Sequence, residues 1–349
     1  MSCPDRYNRQ RILPEIGHDG QRRLAEARVL LIGCGALGST LAELLVRAGL
    51  GRLRLVDRDL VELSNLQRQA LFDEQDAAQE LPKSVAAGQR LARINSTVTI
   101  EPVVADANPG NLASLADVGT ERPVDLILDG TDNLATRYLI NDLAVQQDIN
   151  WIYAACVGVG GRVMAIVPGK TACLRCLYPQ PPDAAQLPTC DTAGVLGPAA
   201  TAIASAAAAA AMRLLVGAGP MPGGLISLDL WAGEFRTLAS GSQPAPDCPC
   251  CGGRQFPFLC KIDADCTTTL CGRQAVQVLQ AGRASVDLAS AARRWQEIGT
   301  VQQSPWFVRC RLHEPVGIDL TLFGDGRLLV HGTADLMRAR SIYARFVGS

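Results

Sequence analysis

The run VLLIGCGALGSTLAELLVRAG, residues 29–49, constrains this chain more than any other stretch. It opens on four apolar, β-prone residues and closes on apolar residues at helical spacing, with Gly33, Gly35 and Gly38 between. Glycines there let the backbone turn sharply after a strand and approach a phosphate, whose charge is favoured by the N-terminus of the next helix. The pattern predicts strand, turn, and a helix over 37–48.

From Val29 to Ile166 the same alternation repeats. The runs VLLIG, RLRLVD, VTIEPVV, VDLILDG, NWIYAACVG and GRVMAIVPG read as strands, and 83–94 and 135–147 carry helical periodicity. Strands alternating with helices predict an α/β fold with a doubly wound, Rossmann-like, mostly parallel sheet. The alanine-rich run 198–219 approaches membrane-span length, but it opens on Pro198 and closes on Gly217, as a close-packed helix of a globular protein does. A Gly/Ser/Pro-rich stretch, ASGSQPAPDCPCCGG, marks a domain boundary, giving 1–255 and a tail of 256–349. In the tail LCGRQAVQV, PWFVRCRL, GIDLTLF and RLLVHG read as strands, and VDLASAARRWQEIG and ADLMRARSIYARFV as helices. Gly324-Asp325-Gly326 joins the last two strands as a hairpin, so the tail is expected to be a small α+β domain.

With 48% apolar and 19% charged residues the composition is that of an ordinary globular protein, and a formal charge of −1 gives no general attraction to nucleic acid or membrane. MSCPDRYNRQ has no apolar core of a secretory signal, which points to the cytoplasm. The thirteen cysteines then stand in a reducing compartment, where metal ligation, nucleophilic chemistry or packing outweigh structural disulfides.

Chemistry-bearing residues follow the glycine turn in order. Asp57 ends the second strand, where an acid accepts ribose hydroxyls in nucleotide-binding folds. In DRDLVELSNLQRQ, Asn65 and Arg68 stand three apart, as on one helical face, and Lys83 follows in LPKS. Such strong donors suit a triphosphate from which pyrophosphate is expelled, more than a nicotinamide dinucleotide. In LILDGTDN, Asp132 is the candidate magnesium ligand, while Asp129 satisfies backbone donors at the strand end. Cys173-x-x-Cys176 and Cys248-x-x-Cys251 offer four thiolates for tetrahedral zinc, with 71 residues between the pairs and Cys250 as the register rival of Cys251. No histidine lies between residues 19 and 312, which argues against a mixed Cys/His site. Cys190, in PTCDTAGVLGP, stands outside both knuckles and before a helix, where a thiol can act as nucleophile. Cys260, Cys266, Cys271 and Cys310 read as packing residues, with a sulfur relay as the alternative.

Taken in order, RYNRQ, GCGALG, DRDLVELSNLQRQ, LPK, DGTDN, CLRC, TCDTAGVLGP and CPCC resemble the ThiF/MoeB/HesA family, bacterial relatives of ubiquitin-activating enzymes. The tail resembles the C-terminal extension of a longer ThiF-type subset. The resemblance implies an adenylyltransferase that uses ATP and magnesium to activate the C-terminal glycine of a ubiquitin-like sulfur carrier protein ending in Gly-Gly, of the ThiS type of thiazole synthesis. A cysteine desulfurase or another donor would supply sulfur. It further implies that Gly33, Gly35, Ala36 and Gly38 cradle the nucleotide and that Asp57 holds the ribose. Ser64, Asn65, Arg68 and Lys83 would hold phosphates. Asp132, with Asn133 beside it, would bind magnesium, Arg9 would reach the triphosphate of the other subunit of a homodimer, and Cys190 would join covalently to the carrier or its sulfur. Ala36 replaces a glycine common in the family, which is compatible with a negative φ. A MoeB-type enzyme acting on the molybdopterin carrier is the nearest alternative; an NAD-dependent oxidoreductase and a non-catalytic zinc scaffold are more distant ones.

Overall fold

The computed structural model describes residues 5–182, 189–260, 266–269, 275–279 and 286–348. Contacts divide the chain into two compact units, Met1–Cys260 and Lys261–Ser349.

The first unit runs α1 (Asn8–Arg11), α2 (Gly17–Glu26), β1 (Arg28–Ile32), α3 (Ala36–Arg47), β2 (Arg52–Asp57), α4 (Glu74–Ala78), α5 (Lys83–Ile94), β3 (Thr99–Val104), α6 (Leu112–Leu115) and β4 (Leu126–Asp129). It continues through α7 (Leu134–Gln146), β5 (Asn150–Val157), β6 (Gly160–Ile166), α8 (Leu174–Leu177), α9 (Cys190–Ala193), α10 (Gly197–Leu215), β7 (Leu225–Asp229) and β8 (Glu234–Leu238). Its strands form one sheet in the order β3-β2-β1-β4-β5-β6-β7-β8. The first five are parallel, and β6, β7 and β8 add on antiparallel. This is the doubly wound α/β sheet that the alternation predicts.

Strand β1 is apolar on both faces because both faces are covered. Leu30 and Ile32 enter a cluster with Tyr138, Leu139 and Trp151, whereas a Cβ added to Gly38 of α3 would touch Leu31 at 3.7 Å. Helix α10 is long and apolar enough to cross a membrane. Here its Ala200, Ile203, Ala204, Ala207 and Ala211 are buried against α3, β5 and β6. Small side chains let those elements approach, which accounts for the alanine run without a bilayer.

Residues 256–260, assigned to the tail from the linker composition, belong to the first unit. Phe258 packs on Tyr138 with ring centroids 4.9 Å apart, and its N–H donates to Asp142 at 3.1 Å. Aromatic burial overrides the linker signal.

The second unit contains β9 (Cys266–Thr269), β10 (Ala275–Leu279), α11 (Leu288–Trp295), β11 (Gly299–Gln303), β12 (Phe307–Leu312), β13 (Asp319–Phe323), β14 (Leu328–His331) and α12 (Leu336–Phe346). Its antiparallel sheet has the order β11-β12-β13-β14-β10-β9. Trp295, Ile342 and Tyr343 of the helices pack on Val308, Leu320 and Val330, an α+β arrangement as expected. The β13–β14 hairpin closes with Phe323 N–H donating to Arg327 O at 2.9 Å, and Gly326 takes φ +83°. One element differs: the segment 286–299 is helical only to Trp295, and GTVQQ forms β11. Trp295 is the last residue to anchor the helix in the core, and β11 is a largely exposed edge strand whose polar residues conceal it.

Candidate functional site

The glycine turn is built from three strand ends. Gly33 N–H donates to Val56 O at 2.8 Å, and Gly130 N–H to Ile32 O at 2.8 Å, so β1, β2 and β4 finish at one level. Gly33 takes φ +90°, a conformation L side chains rarely adopt. A Cβ at Gly38 would lie 1.8 Å from Gly33 O, and one at Gly130 would lie 2.4 Å from the same oxygen. Ala36 begins α3 in helical conformation and is not among the positive-φ residues. No side chain caps α3, so the N–H groups of its first turn are left for a ligand.

Asp57, at the end of β2, is buried. It accepts from Cys34 N–H at 2.6 Å and from Asp59 N–H at 2.7 Å. Burial pushes its carboxyl up, Lys83 opposing. Lys83 is the first residue of α5, its backbone N–H donating to Asp59 O at 2.9 Å and its Nζ to Asp59 Oδ2 at 3.1 Å. Burial disfavours its charge, but Asp59 and Asp57 more than offset that and hold the ammonium above its usual range. The residues before it fold into α4, capped by Asp73, and Leu60 pairs with Pro82, which fixes where Lys83 enters.

Asn65 and Arg68 do not share an α-helical face. Leu63–Asn65 is a single 3-10 turn, and Arg68 N–H bonds back to Asn65 O at 3.1 Å, a turn in which residues three apart eclipse. Arg68 Nη1 donates to Ser64 O at 2.9 Å. Ser64 is exposed, with Asn65 Nδ2 donating to its Oγ at 3.3 Å. Asn65 and Gln69 are buried, yet Asn65 Oδ1 and Gln69 Oε1 lack a hydrogen-bond partner. Gln69 Nε2 stands 3.8 Å from where a Cβ of Gly35 would be. The Gln69 amide, with its oxygen orphaned, stands beside Gly35, where a bound ligand would find a polar partner. The motif hid Gln69 because only tertiary burial distinguishes it from Gln67.

Asp132 is exposed, and its charge is felt by Arg58, Lys83 and Arg137. Asn133 caps α7, accepting from Ala135 N–H at 2.9 Å. Asp129 is fully buried and paired with Arg137. A hard carboxylate on the sheet's carboxyl edge is of the type that would hold a magnesium ion. Arg9 is exposed on α1; its neighbour Gln10 ties that helix to Ala48 O at 2.9 Å.

Cys190 begins α9 behind the N-cap Thr189. Gly194 O and Val195 next meet Gly158 at the end of β5, so the segment is pinned to the same edge of the sheet. Gly197 follows against Gln67 O.

The Sγ atoms of Cys173, Cys176, Cys248 and Cys251 all lie within 4.8 Å of one another. Their closest approaches are 3.6 Å (173–248), 3.8 Å (173–176) and 3.4 Å (176–251). Four thiolates about 2.3 Å from one tetrahedral ion stand about 3.8 Å apart, so the group is dimensioned for a metal. Cys250 is not one of the four; its Sγ meets Asn141 Nδ2 at 3.2 Å and Asp142 at 3.5 Å, which favours Cys251 in the register. Cys310 packs in the core of the second unit and Cys260 is exposed. The side chain of Cys266 and all of Cys271 lie outside the described residues.

The ThiF family pattern matches residues 7–250. The chain belongs to the ThiF family. It is 41% identical over 344 residues to the sulfur carrier protein ThiS adenylyltransferase of Bacillus subtilis, covering 98% of this chain and 99% of that one. It is 39% identical over 254 residues to the sulfur carrier protein adenylyltransferase of Thermus thermophilus, covering 71% and 90% respectively. A crystal structure of E. coli MccB with ATP superposes with a TM-score of 0.61 at 21% identity, covering 71% of this chain and 75% of that chain, a likeness of fold.

For this ThiF-family chain, Gly38→Ala is expected to cost about 2 kcal/mol or more, because the Cβ meets backbone that cannot yield. Thermal denaturation and titration with an ATP analogue check it. Unchanged melting with unchanged affinity would contradict the contact between Gly33 and Gly38.

Proposed function

We propose that this chain is an adenylyltransferase that activates the C-terminal glycine of a ubiquitin-like sulfur carrier protein of the ThiS type, at the expense of ATP. The observation that carries the reading is the 41% identity to a ThiS adenylyltransferase across both chains, tail included. The uncapped α3, the glycine cradle and the orphaned Gln69 amide beside it support a nucleotide there.

In this mechanism the turn and the N-terminus of α3 hold phosphate, and Asp57 holds the ribose. Ser64, Asn65, Arg68 and Lys83 gather the phosphates. Asp132, flanked by Asn133, would ligate magnesium, which when bound screens the triphosphate's charge. The carrier's terminal carboxylate is already ionised, so no protein base is required. One of its oxygens bonds to the α-phosphorus, the bond from that phosphorus to the bridging oxygen breaks, and pyrophosphate departs with the electron pair. What the protein supplies is orientation and charge stabilisation. Arg9 of a second subunit would add a cation to the triphosphate in a homodimer. The Cys190 thiolate then attacks the activated carbonyl carbon, a thioester forms as the bond from that carbon to the phosphate oxygen breaks, and AMP leaves with the electron pair. Zinc at the four cysteines is structural, the site is cytoplasmic, and thiamine synthesis is the pathway.

The test is carrier-dependent exchange of pyrophosphate into ATP, with ThiS-type and molybdopterin-type carriers side by side. Exchange with neither, from folded and metal-loaded protein, overturns the reading; exchange with the second alone moves it to a MoeB-type enzyme. For Cys190→Ala, exchange is expected to stay within about twofold, since adenylation precedes capture, while the covalent carrier adduct disappears from the mass spectrum. An adduct of equal yield in the variant removes Cys190 from the reaction.

A further inference from the structure

We infer that Arg137 is a positioning residue for the adenylation reaction, holding the loop that presents Asp132. The inference rests on reading Asp132 as the carboxylate that meets magnesium and phosphate.

Arg137 lies in the first turn of α7, its side chain only 12% exposed, against a carboxylate of Asp129 that is 0% exposed. Its Nε donates to Asp129 Oδ2 at 3.0 Å. Asp129 Oδ1 in turn accepts from Thr131 N–H at 2.9 Å and from Thr131 Oγ1 at 2.7 Å. The guanidinium closes the ring: Nη2 donates to Thr131 O at 2.5 Å and reaches Ala154 O of β5 at 3.3 Å. The Tyr153 ring lies 5.5 Å from its Cζ.

The consequence lies in the peptide chain itself. Thr131 has its N–H held by Asp129 and its carbonyl held by Arg137. That carbonyl belongs to the peptide joining Thr131 to Asp132, so its plane is fixed on the side away from solvent. On the other side Asn133 caps α7. Asp132 therefore projects from a backbone fixed at both neighbours, although its own side chain is exposed. A buried ion pair is weak evidence for stability; a planar fork spanning a carboxylate and two carbonyls is well suited to orientation. Lysine at 137 could keep the charge but not the three-point geometry.

The experiment measures binding of a non-hydrolysable ATP analogue, α,β-methylene-ATP, by calorimetry in excess magnesium and in magnesium-free buffer, which leaves catalysis out. The variants are Asp132→Asn, Arg137→Met, Arg137→Lys, and Arg137→Met combined with Asp132→Asn. Because Arg137→Met strands a buried carboxylate, Asp129→Asn/Arg137→Met is measured with them. The expected result is that Arg137→Met and Arg137→Lys lose about tenfold or more of the magnesium-dependent affinity, as outer-shell changes do. The magnesium-free affinity should stay within about twofold. In the Asp132→Asn background the Arg137 change should add less than about twofold, because both act through one group. Equal loss with and without magnesium, or full additivity with Asp132→Asn, overturns the inference and leaves Arg137 as scaffold. If magnesium does not tighten binding to the wild-type protein and Asp132→Asn has no effect, the reading of Asp132 fails, and the inference with it. If magnesium does tighten it and Arg137 variants match wild type, only the inference falls.

Discussion

Arg68→Ala is expected to lower carrier-dependent pyrophosphate exchange by about 10³-fold, in the range for loss of a cation that meets charge on a transferring phosphoryl group. The same variant should melt within about 2 °C of wild type, as surface changes of under about 0.5 kcal/mol do. The separation follows from what Arg68 touches. Its guanidinium donates to the carbonyl of Ser64 in its own turn, while that turn is held by the Arg68 and Gln69 N–H groups donating to Asn65 O. Lys83→Ala makes the instructive contrast. Lys83 is buried and is a counter-charge of Asp59 and of the buried Asp57, so its removal takes a cation from a buried carboxylate. That variant should lose both activity and stability, and Arg68→Ala activity alone. Exchange assays and thermal melts on both decide it. An Arg68→Ala protein that exchanges at wild-type rate would remove Arg68 from the phosphate site and with it the reason for preferring an adenylyltransferase to a dinucleotide enzyme on residue chemistry.

What could be read from the sequence is what is decided locally. A turn that needs φ +90° at Gly33 and no side chain at Gly38 announces itself by glycine spacing. An acid such as Asp57 at the end of an apolar run announces itself by position, and the parallel strands by their apolar runs. What escaped depends on partners distant in the chain. Asn65 and Arg68 have helical spacing, yet a 3-10 turn forms there, with Arg68 Nη1 bonded back to Ser64 O. CPCC offers two registers, and it is Asn141 and Asp142, more than a hundred residues away, that bond Cys250 while Cys251 meets Cys176. Asp59 as the partner of Lys83, and Arg137 as the clamp on Thr131, have no motif at all. Strand β11 carries polar residues because it lies at an edge, and hydrophobic periodicity cannot find what is not apolar.

Loss of the metal at the four-cysteine group should produce the largest change in stability. A metal at the four thiols would tie together two short segments: α8 is four residues long, and the 248–251 knuckle is turn without helix or strand. Around it, Leu174 N–H donates to Asn141 at 2.8 Å, Arg175 Nη1 to Gln255 O at 2.8 Å, and Ala245 N–H to Cys176 Sγ at 3.3 Å. Cys251→Ser is expected to lose zinc and at least about 3 kcal/mol, which at about 2–4 °C per kcal/mol for a unit of this size lowers the melting temperature by roughly 6–12 °C. Cys250→Ser should keep one zinc per chain and melt much closer to wild type, because its thiol serves Asn141 and Asp142. Metal analysis beside thermal melts separates the two variants; zinc loss from Cys250→Ser with retention in Cys251→Ser would reverse the register. The effect should also reach the nucleotide. Helix α7 carries Asn141 and Asp142, near its middle, against the knuckle, and its N-cap Asn133 and first-turn Arg137 stand next to Asp132. Removing a metal from the knuckle is expected to loosen the middle of the helix whose first turn holds the Thr131–Asn133 loop. Exchange activity is therefore expected to fall with zinc content.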